Sequence, residues 1–121
     1  MCPENARIFL VEDDKSRQSL VKDAMKTFGH EVVDVASSLK EALDKVSKLD
    51  KKRIDVAIVD GNLSENNVSG SDGAAVASAI KAKHPSIIVI GNSLRNPVDN
   101  TDLNSPKMDG ILKLGETVTN A

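Results

Sequence analysis

The sequence predicts an α/β fold, a parallel sheet with helices on both faces. Three observations predict it. Short apolar runs alternate with longer stretches whose apolar residues recur at helical spacing. The runs Ile8-Phe9-Leu10-Val11 and Ile54-Asp55-Val56-Ala57-Ile58-Val59 are almost continuously apolar, as strands covered on both faces are. Acidic residues close both runs, Glu12-Asp13-Asp14 after the first and Asp60 after the second. Strands alternating with helices imply right-handed crossovers, and ligands of open α/β sheets bind at the carboxyl ends of the strands.

The elements follow in order. Ala6 to Val11 reads as strand one. Lys15 to Phe28 reads as a helix with Leu20, Ala24 and Phe28 on one stripe; Asp14 or Ser16 suits its start and Gly29 its end. Glu31 to Ala36 is strand two. Ser38 to Leu49 is a helix with Leu39, Ala42, Leu43, Val46 and Leu49 at helical spacing, and Ser38 with Glu41 has the form of a capping box. Asp50-Lys51-Lys52-Arg53 is a solvated turn before strand three. Ser64 to Ser71 is polar and reads as a loop. Asp72 to Lys83 is a small-residue helix with Ala75, Val76, Ala79 and Ile80 inward, and Pro85 ends it. Ser86 to Ile90 is strand four. From Leu94 to Met108 periodicity fails, with Pro97, Asn100, Asn104 and Pro106 interrupting any helix. Ile111 to Leu114 reads as a short fifth strand, and Gly115 to Ala121 is too short for an ordinary last helix.

A length of 121 residues fits one domain spanning 1–121 with a single core. With 28% charged residues and a net charge of −2 there is no basic excess, which disfavours direct nucleic-acid binding. A lone Cys2 cannot form an internal disulfide, and no run has the length of a membrane span or the character of a signal peptide. A cytoplasmic protein without membrane contact is the expectation. Two Phe and no Tyr or Trp leave the core to Val, Ile, Leu, Ala and Met. His30 and His84 read as structural, at a turn and a helix end.

The carboxylates of strands one and three are expected to meet at one edge of one sheet. There they repel one another, and a cation relieves the repulsion. The arrangement suggests a divalent metal and chemistry on an aspartate. Taken singly the residues are bland. The acidic cluster can cap a helix, Asp60 can be a strand-end turn residue, Ser93 a loop hydroxyl and Lys113 a solvated lysine.

Along most of its length the chain resembles the receiver domains of two-component response regulators. The matching residues are Ile8 to Asp14, Gly29-His30-Glu31-Val32, Ala36-Ser37, Glu41-Ala42-Leu43, Asp55 to Asp60, Leu63, Gly70, Asp72-Gly73, His84-Pro85, Ser93 and Lys113. The resemblance implies a flavodoxin-like, doubly wound five-stranded parallel sheet in the order 2-1-3-4-5. It makes Asp60 the phosphoacceptor of a histidine-to-aspartate phosphorelay. It assigns Mg²⁺ to Glu12, Asp13, Asp60 and the backbone carbonyl of Asn62. It makes Ser93 and Lys113 the hydroxyl and the amine that hold the phosphoryl group. The implied partners are a sensor histidine kinase or phosphotransfer protein, and a downstream protein or an output domain outside this chain.

The chain also departs from that pattern. The loop after Asp60 carries about five extra residues around Glu65-Asn66-Asn67-Val68-Ser69. Leu94 follows Ser93 where a small residue is usual, Gly110 stands where an aromatic is common, and Leu114 replaces the proline after the lysine. The fourth helix looks degenerate and the fifth truncated. One alternative is therefore a receiver-like interaction module that is not phosphorylated. A small Mg²⁺-dependent phosphohydrolase is disfavoured, because such enzymes place a second aspartate where Asn62 stands; the protein is not expected to be an enzyme beyond its own phosphorylation and dephosphorylation.

Overall fold

The computed structural model describes residues 6–49, 51–60, 71–92, 101–104, 114 and 117–119. Strands β1 (Arg7–Val11), β2 (Glu31–Ala36), β3 (Val56–Val59), β4 (Ile88–Gly91) and β5 (Leu103–Asn104) form one sheet in the order β2-β1-β3-β4-β5. All its pairings are parallel. Helices α1 (Lys15–Thr27), α2 (Leu39–Val46) and α3 (Ser71–Lys83) make the crossovers.

The pleat sorts the core into two layers. Phe9, Val11, Ala57, Val59 and Val89 face α2 and α3, where Ala42, Val46, Val76, Ala77 and Ile80 cover them. Ile8, Leu10, Val56, Ile58 and Ile90 face α1, where Val21, Ala24 and Met25 cover them together with Leu114 and Val118. Successive strand residues point to opposite faces, so continuously apolar strands are what a sheet covered on both sides requires.

The helix ends are set by local chemistry. Asp14 caps α1, its Oδ1 accepting from the backbone N–H of Ser16 at 2.8 Å and of Arg17 at 3.3 Å. At the other end Gly29 takes φ +85. Its N–H donates to the Lys26 carbonyl at 3.0 Å and that of His30 donates to Met25 at 2.8 Å, the pair of bonds that defines a Schellman ending. Ser38 caps α2 through its Oγ, which accepts from the Glu41 N–H at 3.1 Å, while Glu41 reaches back to accept from the Ser37 N–H at 2.6 Å. Both histidines are structural. The His30 Nδ1 accepts from the Ala6 N–H at 3.1 Å, and the His84 Nε2 lies 2.7 Å from the Val46 carbonyl oxygen.

Four expectations need correction. Strand β5 is Leu103–Asn104, and Leu114, expected to end a strand, is helical, while residues 111–113 lie outside the described residues. Leu114 and Val118, four apart, share one helical face and are buried against the α1 layer. The inward stripe of α1 is Val21, Ala24 and Met25, with Leu20 54% exposed. In α2, Leu43 points outward at 42% exposed. In α3, Ala77 is inward and Ala75 exposed. Of the expected loop, Ser64 to Ser71, and the aperiodic stretch, Leu94 to Met108, residues 64–70, 94–100 and 105–108 lie outside the described residues, while Ser71 already belongs to α3 and Leu103–Asn104 to β5.

Candidate functional site

The site is assembled by the last rungs of the sheet. The Glu12 N–H donates to the Ala36 carbonyl at 3.0 Å, that of Asp60 to Val11 at 2.9 Å, and that of Asn92 to Val59 at 2.9 Å. Each residue sits one step past the end of its strand. With Val11 level with Val59 and Val59 level with Gly91, the next row across the sheet is Glu12, Asp60 and Asn92. By strand parity these three continue the rows of Leu10, Ile58 and Ile90, whose side chains face α1.

The acidic side chains converge there. Glu12, Asp13 and Asp60 each offer a carboxylate oxygen, and all three lie within 4.8 Å of one another. Glu12 and Asp60 are buried at 2% and 4% exposure, whereas Asp13 is exposed. The set suits a hard dication. Mg²⁺ takes oxygen ligands at about 2.0–2.1 Å in octahedral array, which places opposite oxygens about 4 Å apart.

The first turn of α1 frames the cluster. The Asp14 N–H donates to Glu12 Oε2 at 3.3 Å. Gln18 Nε2 donates to the Glu12 carbonyl at 2.6 Å and to the Ser37 hydroxyl at 3.2 Å, tying the helix to the tips of β1 and β2. Arg17 Nη2 donates to Asn92 Oδ1 at 3.0 Å, and Arg17 Nε lies 4.0 Å from Glu12 Oε1.

The structure thus brings together Glu12, Asp13 and Asp60 as expected. Asn62, Ser93 and Lys113 lie outside the described residues. Sequence reasoning missed Asn92 and Arg17. Asn92 is the residue level with Asp60, a fact readable only from strand register. Arg17 looked like one of many surface cations, because nothing in a lone chain says which way a first-turn arginine leans.

A second polar cluster supports the frame. Asp34 on β2 accepts hydrogen bonds at Oδ1 from Lys45 and from the Val35 N–H, each at 2.9 Å, and its Oδ2 pairs with the Lys52 ammonium at 2.9 Å. Burial pushes its carboxyl up, but the lysine bonds outweigh burial and hold it below the ordinary carboxylate range. Asp102 does the same for β5. Its carboxylate accepts from the Val89 N–H at 2.8 Å and from Lys81 at 3.0 Å, and its own N–H donates to the Val89 carbonyl at 2.9 Å.

The fold and site define a doubly wound parallel α/β domain with a carboxylate cluster at the carboxyl edge of its sheet. The chain belongs to the response regulator receiver domain family, which it matches over residues 8–113. Solved structures agree on the fold. The signal receiver domain of a modulated diguanylate cyclase from Desulfovibrio desulfuricans is 20% identical, with a TM-score of 0.75 over 97% of this chain and 93% of that one. A CheY-like receiver domain protein from Methanospirillum hungatei is 19% identical, TM-score 0.76, over 96% and 92%. A chain of the CheX-CheY-BeF3-Mg complex from Borrelia burgdorferi is 19% identical, TM-score 0.61, over 73% and 61%. No curated protein is similar enough in sequence to count as a match. No helix among the described residues is long and apolar enough to cross a membrane.

Proposed function

We propose that the protein is a phosphoacceptor receiver, phosphorylated on Asp60 by a sensor histidine kinase or a phosphotransfer protein. The observation that carries this reading is the convergence of Glu12, Asp13 and Asp60 within 4.8 Å at the carboxyl edge. Glu12, Asp13, Asp60 and the Asn62 carbonyl would hold Mg²⁺, which supplies charge neutralisation for phosphoryl transfer. A relative whose description includes Mg²⁺ and a fluoroberyllate, from Borrelia burgdorferi, supports the assignment.

The chain's own residues do the rest. An Asp60 carboxylate oxygen attacks phosphorus and an O–P bond forms. The N–P bond of the donor phosphohistidine breaks, and the freed imidazole nitrogen takes a proton from solvent. The transition state is loose, so positioning dominates, and Asp60 is fixed by its ladder bond to Val11. Ser93 and Lys113 are the candidate phosphoryl ligands. A hydroxyl that bonds only the phosphorylated state favours one conformation over another, and that difference is what a downstream protein or output domain would read.

The second reading is a docking module that is not phosphorylated, which the departures from the family pattern at Leu94, Gly110 and Leu114 favour. Incubation with a small phosphodonor and Mg²⁺ separates the two. Intact-mass measurement should show one added phosphoryl group on the wild type and none on Asp60→Asn. An unmodified wild type would favour the docking module.

A further inference from the structure

We infer that Arg17 is a tethered counter-ion of the acidic cluster, which a divalent cation must displace in order to bind. This rests on the reading of Glu12, Asp13 and Asp60 as metal ligands. Three observations support it. First, the guanidinium joins residues at the tips of β1 and β4, with Nε 4.0 Å from Glu12 Oε1 and Nη2 donating to Asn92 Oδ1 at 3.0 Å. Strand β3 lies between β1 and β4. An arginine reaching from one to the other therefore crosses the tip that carries Asp60, on the α1 side where parity directs all three side chains.

Second, the side chain is not a solvated one. It is 17% exposed, beside a Glu12 side chain at 3%. Its backbone is fixed by the Asp14 cap, which accepts from the Arg17 N–H. Third, Arg17 Nε is buried with no hydrogen-bond partner. A buried donor without a partner is costly, so the carboxylate field, not hydrogen bonding at Nε, holds that end of the guanidinium in place. A dication on the same carboxylates removes that field and repels the guanidinium. The single bond to Asn92 then has to release or lengthen. Arg17 thus sets the metal affinity of the site and couples metal binding to a contact at the end of β4.

The test is calorimetric titration of MgCl₂ into the full chain at constant ionic strength. Arg17→Ala should bind Mg²⁺ about tenfold more tightly than wild type, within the range usual for coupled sites. Asn92→Ala, which keeps the charge but removes its anchor, should give a smaller gain in the same direction. The Arg17 Nε–H resonance of the wild type should shift as Mg²⁺ saturates. Equal or weaker Mg²⁺ binding by Arg17→Ala, in a wild type that does bind, overturns the counter-ion role and leaves the metal site intact. So does an unmoved Nε–H resonance. No binding by wild type and Arg17→Ala alike overturns the metal site itself, and this inference with it. Should Arg17→Ala fail to fold, Arg17→Gln, Asn92→Ala and the resonance still decide the matter.

Discussion

Neutralising Asp13 should stabilise the metal-free protein and remove its response to Mg²⁺. Asp13 is the exposed member of a trio whose carboxylate oxygens lie within 4.8 Å of one another. Two unit charges at that distance repel by about 3.5 kcal/mol at an effective dielectric near 20 and by about 0.9 kcal/mol in water. Exposure places Asp13 near the lower figure for each of its two neighbours. The nearby guanidinium of Arg17 offsets part of that. The net relief for Asp13→Asn is then about 1 kcal/mol, or about 3–5 °C in melting temperature for a domain of this size. Mg²⁺ relieves the same repulsion in the wild type and stabilises it further by mass action. A ligand at a hundred times its Kd that binds only the folded state adds about 2.7 kcal/mol. Paired thermal melts in chelator and in saturating Mg²⁺ read both effects. Asp13→Asn should melt above wild type in chelator and gain little from Mg²⁺. A variant that melts below wild type in chelator, or that keeps the full Mg²⁺ increment, refutes the electrostatic reasoning and removes Asp13 from the ligand set.

Three further outcomes are expected. Gly29→Ala should cost about 1–2 kcal/mol in chemical denaturation. A Cβ there meets nothing within 4 Å, so the loss comes from φ +85 alone and a Gly29→Asn variant should recover part of it. Ser38→Ala should cost about 1 kcal/mol by removing the acceptor for the Glu41 N–H, and Ser38→Asp should restore it; equal stability of all three would remove the cap from the account. Burial pushes the Asp34 carboxyl up, but Lys52 and Lys45 outweigh it and hold the folded-state carboxyl below its ordinary value of 3.8. Its stabilisation is therefore present above that value and lost as pH falls through the lower folded one, so the stability gap between wild type and Asp34→Asn should close in acid and stay flat near neutrality.

What was legible in the chain was what hydrophobic periodicity encodes. Strand β2 spans Glu31–Ala36 as the pattern indicates, and α3 runs to Lys83 before Pro85. The α1 stripe was misphased by one residue because Leu20 and Val21 are both apolar, and only packing shows that Val21, not Leu20, is the buried one. Strand β5 was misplaced for a different reason. It has two residues and no pattern of its own. What fixes it is the Asp102 carboxylate and N–H, both bonded to Val89, with Lys81 holding the carboxylate. The apolar stretch further on reads as a strand, but its described member, Leu114, is helical, and with Val118 four residues on it packs against α1.

The same distinction explains the site. Glu12 and Asp60 were legible because each ends a conspicuous apolar run. Asn92 was not, because a strand's end in sequence does not say which of two polar residues lies level with its neighbour. Pairing decides it: Val59 opposite Gly91 puts Asn92 beside Asp60. A one-residue slip would carry the other parity and face α2 and α3 instead. The row Glu12, Asp60, Asn92 is thus a property of the ladder, and so is the reach of Arg17 across it. Any change in the β3–β4 register moves the anchor of Arg17 away from Asp60. Asp60 and the guanidinium are therefore coupled through backbone hydrogen bonds as well as through charge. Perturbing β4 without touching the site, as with Ile90→Ala in the α1-facing layer, should then weaken the Arg17–Asn92 bond as well as the core. Native-state hydrogen exchange at the Asn92 N–H reads that coupling. Protection lost there only by global unfolding would confine the row to a passive role, whereas protection lost at a lower free energy than the β1–β3 amides would mark β4 as the element able to move.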